Sequence, residues 1–247
     1  MIGRSFYFVL LLVALACSCG NSPGKPSADS IPTNPDDVSD FSVLYAKNCA
    51  GCHGIDGKGG ASIALADPVY LSLADDSAVR RVAVSGVSGT SMPAFAKSAG
   101  GMLTDHQIDI IVKGIRERWS KPGALSGANV PPYAASPGEA SRGAAVYSTY
   151  CSSCHSAAGA GGVHAGSINA GSIVDGTFLA LVSDQYLRTV VIVGRPEFGA
   201  PDWRGNVPGR TMSPQDVSDV VAWLISQRPK FPGQPYSNSD KAAGGHS

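Results

Sequence analysis

The chain has 247 residues, enough for one large domain or for two of about 100 residues each. It is 43% apolar, 7% aromatic and 15% charged, and its 30 Gly and 17 Pro predict that much of it is loop. Nineteen Lys+Arg balance nineteen Asp+Glu, which excludes a generic nucleic-acid binder, and no apolar run approaches the roughly 20 residues that span a bilayer.

Arg4 is the one charge ahead of the apolar stretch Phe6 to Ala16, which suits the core of a signal peptide over residues 1–16. Val13-Ala14-Leu15-Ala16-Cys17 resembles the lipobox of bacterial lipoproteins, which implies acylation of Cys17, with Cys19 as the alternative anchor and plain secretory cleavage as a third outcome. The expected location is the periplasm or the outer face of a bacterial membrane, with the lipid as anchor. Residues 17–36 are rich in Ser, Pro, Asn, Gly and Asp and form the expected flexible tether.

The remaining cysteines come as two pairs, each followed at once by histidine. Tyr45-Ala46-Lys47-Asn48-Cys49-Ala50-Gly51-Cys52-His53 matches Tyr147-Ser148-Thr149-Tyr150-Cys151-Ser152-Ser153-Cys154-His155 at an offset of 102. Asp67 to Leu73 then matches Asp175 to Leu181 at an offset of 108, which holds through Arg80/Arg188 and Gly86/Gly194, so the second copy carries six extra residues after His155. This repeat divides the chain into domains at 37–119 and 136–228, with a Pro- and Gly-rich linker over 120–135 and a flexible tail over 229–247.

Helices should open and close each copy. Asp40 to Asn48 opens the first, and Thr104-Asp105-His106-Gln107 is a capping box ahead of Ile108, Ile111, Val112 and Ile115. Ser136-Pro137-Gly138-Glu139 has the same form at the start of the second copy, and Ser213-Pro214-Gln215-Asp216 starts its last helix. Asp75 to Val84 and Ser183 to Val193 are the middle helices. No stretch alternates convincingly over several strands, so the expected fold class is mostly α.

Cys-x-x-Cys-His is the attachment signature of c-type haem. A thioredoxin-like pair would lack the histidine, and a Cys₂His₂ zinc site would need two spaced histidines downstream. On these motifs each half resembles a class I cytochrome c domain, and the whole resembles a bacterial dihaem cytochrome c. The resemblance implies two covalent haem c groups, held by Cys49, Cys52 and His53 and by Cys151, Cys154 and His155. It also implies a methionine as sixth ligand, and Met92 in Gly89-Thr90-Ser91-Met92-Pro93 fits, 39 residues after His53.

The second copy departs from the pattern, because the 108 offset puts Ala200, which has no donor atom, at the place of Met92. Met212 is the nearest substitute, favoured because sulfur beside an apolar haem face is a better partner than trapped water. Against it, Met102 occupies a similar place in the first copy. His164 lies in the insertion and reads as a solvent-exposed side chain, as do His106 and His246. Arg80, Arg188 and Arg195 could each pair a haem propionate or sit on a solvated face. The opening and closing helices should cross with bulk exchanged between copies, Phe41 with Gly114 in the first and Gly143 with Trp223 in the second.

The function expected from this resemblance is single-electron transfer between redox partners such as a quinol-oxidising complex, a dehydrogenase or a terminal oxidase. No nucleophile–base set or phosphate loop announces an enzyme. The alternative is a haem enzyme or small-ligand binder, peroxidase-like, using a second haem without a strong sixth ligand.

Overall fold

The structure is a computed structural model that describes residues 33–163, 169–205 and 209–230. Cys17, Cys19, the expected signal segment, His164, His246 and the expected tail beyond 230 lie outside the described residues. The chain divides at Val38. Before it, the described part is a single 3₁₀ turn, Pro35–Asp37, with the Asn34 side chain accepting from the Asp36 N–H. The described residues from Ser39 onward form one compact unit.

The first copy supplies α1 (Phe41–Asn48), α2 (Ala50–His53), α3 (Pro68–Leu73), α4 (Asp76–Ser85) and α5 (Asp105–Trp119). The second supplies α6 (Ala140–Tyr150), α7 (Ser152–His155), α8 (Gly176–Leu181), α9 (Asp184–Val193) and α10 (Pro214–Ser226). Short polar side chains start most of these helices by taking the orphan N–H groups of the first turn. Asp40 caps α1, Asp67 caps α3 and Asp175 caps α8. Both expected boxes at the closing helices form, Thr104 with Gln107 and Ser213 with Asp216.

The box expected at Ser136 does not form. Helix α6 begins only at Ala140, and Glu139 at its N-cap makes no side-chain cap bond. Tertiary contact overrides the local signal here. The Glu139 N–H donates to Asp219 Oδ1 of α10 at 2.7 Å, and a Cβ on Gly138 would lie 2.0 Å from the Ser218 carbonyl oxygen. The extra residues after His155 add a small element of their own, a two-residue antiparallel ladder of β1 (Gly162–Val163) and β2 (Asn169–Ala170).

The first and last helices of each copy cross as the exchanged bulk requires. A Cβ on Gly114 of α5 would meet Cδ2 of Phe41 at 2.0 Å, so the ring fills the space that glycine leaves. Tyr45 and Trp119 close over that ring at centroid distances of 5.6 and 5.9 Å. In the second copy the glycine is on the opening helix. Gly143 lies against the Asp219 main chain, and Trp223 stacks on Tyr147 at 4.2 Å. Arginines clamp the short helices in both copies. Arg116 bonds the Leu71 and Ala74 carbonyls and Asp76, while Arg228 bonds the Leu179 and Val182 carbonyls and Asp184. Pro132 in the connecting segment is held by Arg188, whose Nε and Nη2 both donate to its carbonyl.

Candidate haem sites

In each copy a cysteine ends the opening helix and starts a single helical turn. Cys49 (φ −117°, ψ −37°) and Cys151 (φ −119°, ψ −31°) share one conformation. The His53 N–H bonds the Cys49 carbonyl and the His155 N–H the Cys151 carbonyl, both at 3.0 Å. One turn therefore places two thiols and an imidazole together. All four cysteines are free thiols. Burial, with the neighbouring thiol second, pushes Cys49 up to about 12 and Cys151 up to about 11. A redox-active dithiol needs a thiol shifted down. Cys49 and Cys151 are shifted the opposite way.

The histidines are prepared in the same way. His53 Nδ1 is 2.8 Å from the Ile63 carbonyl oxygen and His155 Nδ1 is 3.0 Å from that of Gly171. A carbonyl only accepts, so Nδ1 carries the proton in each ring and Nε2 keeps its lone pair for a metal. Burial lowers the His53 pKa, the Ile63 bond opposes this, and the Arg195 charge lowers it further. The ring is thus held neutral, the form that ligates. Tyr45 and Tyr147 brace the turns by donating to the Gly54 and Ser156 carbonyls.

Downstream, the loops after α4 and α9, as far as Met92 and Ala200, start and close alike, although only the second contains a 3₁₀ turn, Pro196–Phe198. Gly86 (φ 64°, ψ −163°) and Gly194 (φ 72°, ψ −167°) both end their helices. A Cβ on Gly86 would lie 2.7 Å from the Met92 carbonyl oxygen, and one on Gly194 would lie 2.7 Å from that of Ala200. Val87 N–H bonds the Met92 carbonyl at 3.0 Å, as Arg195 N–H bonds that of Ala200 at 2.8 Å. Only glycine allows so close an approach with positive φ. Ala200 therefore stands in the main-chain position of Met92.

Residues 36–113 and 138–224 each match the family described as cytochrome c oxidase, cbb3-type, subunit III. The chain belongs to this family. Among solved structures it is similar to a chain of the Kuenenia stuttgartiensis reducing HAO-like protein complex, at 15% identity and a TM-score of 0.39, over 76% of this chain and 96% of that one. It is also similar to the thiosulfate dehydrogenase of Marichromatium purpuratum in its as-isolated form, at 20% identity and a TM-score of 0.32, over 96% of this chain and 55% of that one. No curated protein matches.

A cytochrome c domain of the cbb3-type subunit III family implies covalently bound haem c, and electron transfer as the class of function. The residues present fit that group. The four thiols are not paired in disulfides, and each imidazole keeps one unprotonated nitrogen. Trp203 gives an independent sign. It is 1% exposed, yet among the described residues its indole N–H has no hydrogen-bond partner. A buried donor left unpaired costs about 1–3 kcal/mol, so an acceptor from outside the chain, such as a haem carboxylate, is the natural complement.

Met212 is 5% exposed, and its N–H bonds the Trp203 carbonyl at 3.0 Å. Leu103 makes the matching bond to the Phe95 carbonyl at 2.8 Å and is equally buried. The residue of the first copy that corresponds to Met212 is therefore Leu103. Met102, which sequence comparison pairs with it, is 74% exposed. The expected propionate arginines have protein partners. Arg80 bonds Asp105 and Asp109, Arg188 bonds Pro132 and Ser218, and Arg195 bonds Glu197 and Gly60. Sequence reasoning missed Trp203, though its alignment with Phe95 showed an aromatic that had gained an N–H. It also missed Ser156, the only non-glycine with positive φ among the described residues, which stands where the first copy has Gly54.

Proposed function

We propose that this cytochrome c-domain protein is an exported, lipid-tethered dihaem electron carrier with haem-binding domains at 37–119 and 136–228, linked by 120–135. The first haem would be joined to Cys49 and Cys52 with His53 and Met92 on its iron. The second would be joined to Cys151 and Cys154 with His155 on its iron. Haem supplies the one-electron couple. The chain anchors it through thioethers, fixes each histidine tautomer through a carbonyl and buries the ring among helices. Redox partners such as a quinol-oxidising complex, a dehydrogenase or a terminal oxidase would dock briefly over a small area.

The observation that carries this reading is the duplicated cysteine–histidine turn with its carbonyl-bonded imidazole. Mass spectrometry after c-type maturation tests it. Wild type should carry two haems, and the Cys49→Ser/Cys52→Ser protein one. A wild-type mass with one haem or none overturns the dihaem reading. Detergent phase partitioning tests the anchor, since Cys17→Ala should move the protein to the aqueous phase. Retention of the lipid would point to Cys19.

One observation supports a second reading, small-ligand binding at the second iron. Ala200 holds the place of Met92 without a sulfur, and Met212 holds that of a core leucine. Carbon monoxide binding to one haem of wild type is the expected result under this reading, and its absence would assign a sixth protein ligand. Turnover of peroxide would be needed to make the protein an enzyme.

A further inference from the structure

The loop that presents Met92 in the first copy has a different use in the second. Its first residue after the glycine is Arg195, where the first copy has Val87. Main-chain bonds in both directions between Arg195 and Ala200, at 2.8 and 3.1 Å, make the loop a closed, rigid unit. From it the Arg195 side chain crosses to the first copy, where Nη2 donates to the Gly60 carbonyl at 2.6 Å. Its Nε donates to Glu197 Oε1 at 2.7 Å, and the guanidinium lies over the Phe198 ring at 4.8 Å. Arg195 and Glu197 are 13% and 15% exposed, so this is an ion pair largely withdrawn from water.

Gly60 belongs to the segment that wraps the first cysteine–histidine turn. A Cβ on it would lie 2.2 Å from the Cys52 carbonyl oxygen and 2.6 Å from the Gly54 nitrogen. Two residues on, the Ser62 N–H bonds the Cys52 carbonyl at 2.9 Å, and then the Ile63 carbonyl receives His53 Nδ1–H. The guanidinium thus ends on the segment that fixes the proximal imidazole of the other copy.

We propose that Arg195 and Glu197 of the second copy set the redox potential of the haem held by the first, the arginine as a raising charge and the glutamate as its counterweight. This rests on the reading that His53 ligates a haem iron. A cation beside the ligand favours the iron state with less positive charge, which is the reduced one, and a carboxylate favours the oxidised one. Asp67, Asp202 and Arg204 are charges nearby: burial raises the Asp67 pKa, its bonds from the Tyr70 and Val69 N–H groups oppose this, Glu197 and Asp202 raise it further, and Arg204 pairs with Asp202 at 2.6 Å. Val87 gives the first copy no matching cation at this loop position.

The test is a redox titration of the mature two-haem protein, with the first haem identified as the one whose spectrum Met92→Ala changes. Arg195→Gln should lower its potential, and Glu197→Gln, which leaves the arginine uncompensated, should raise it. Each shift should be less than tenfold in the electron equilibrium, or ~59 mV for a one-electron couple. The second haem should stay where it is, and Arg195→Lys should fall between wild type and Arg195→Gln. Damage to the loop would move both variants the same way, so shifts of one sign overturn the proposal. No shift in either variant, or a shift confined to the second haem, overturns it too. A wild-type protein without two haems would instead defeat the functional reading on which it rests.

Discussion

Gly143→Ala tests the helix crossing beside the second candidate haem site. The new Cβ would lie 2.0 Å from the Asp219 carbonyl oxygen and 2.7 Å from Trp223 Cβ. Alanine gains about 1 kcal/mol of helix propensity over glycine, while overpacking a fitted contact costs about 1–3 kcal/mol. Here the obstacle is main chain, which no rotamer change can move, so α6 and α10 must separate and loosen the Tyr147–Trp223 stack. A net loss of about 1–2 kcal/mol is expected, which lowers the melting temperature by roughly 2–4 °C per kcal/mol for a chain of this size.

Gly114→Ala meets a side chain instead, Cδ2 of Phe41 at 2.0 Å. Adding Phe41→Leu should therefore recover much of its loss, whereas adding Trp223→Leu to Gly143→Ala should recover nothing. Gly51→Ala is the control, with nothing within 4 Å of its Cβ and Ser153 at the matching place. Denaturation followed by helical circular dichroism reads all five proteins. Wild-type stability of Gly143→Ala, or its rescue by Trp223→Leu, would refute the packing argument.

Ser156 holds φ 67° and ψ 167°, a region that costs non-glycine residues about 1–3 kcal/mol. Ser156→Gly should stabilise by about 1 kcal/mol by denaturation, after allowing for the looser unfolded chain. The Arg142 guanidinium holds the Asp219 carboxyl down to about 2, against an ordinary 3.8, so its stabilisation is complete above the ordinary value and lost as pH falls toward 2. Discounting for the half-exposed Arg142, Asp219→Asn should cost about 1–2 kcal/mol at neutral pH. Its deficit against wild type should shrink below pH 4 and vanish near pH 2, and a deficit constant across that range contradicts the assignment. Met92→Ala should turn one haem high-spin, while Met212→Leu should leave both spectra unchanged. A changed spectrum in Met212→Leu would assign its sulfur to the second iron.

The cysteine–histidine turns were legible because their chemistry depends on local spacing, and the closing helices because caps and apolar periodicity lie in adjacent residues. The exchange of Phe41 and Gly114 with Gly143 and Trp223 was legible because the repeat supplies an internal comparison. Signals failed where a distant contact decided the outcome. Asp219, 80 residues from Glu139, draws off the N–H that a capping box at Ser136 would use. Met212 was paired with Met102 because the loop between Trp203 and the last helix has one residue more than its counterpart, and only the hydrogen bonds to Phe95 and Trp203 restore the register. The Arg195–Gly60 bond joins residues 135 apart with no pattern between them.

The two copies also show what keeps the Met92 loop in shape, and this yields a prediction for the second haem. Close approach of Gly86 to Met92, and of Gly194 to Ala200, sets each loop through main-chain atoms, and N–H bonds within each loop pin it, among them Val87 to Met92 and Arg195 to Ala200. The side chain at the tip takes no part in that framework. Met92 and Ala200 are both half-buried, so methionine at 200 meets the surroundings that methionine already has at 92. Ala200→Met should therefore place a thioether where the first copy has one and give the second haem the low-spin spectrum of the first. Its carbon monoxide binding should be lost at the same time, because soft sulfur favours and fills the reduced iron. If the two-haem variant keeps an unchanged second spectrum and still binds carbon monoxide, the equivalence of positions 92 and 200 holds for the main chain alone. The second iron would then lie out of reach of its loop, displaced by the six extra residues that follow His155.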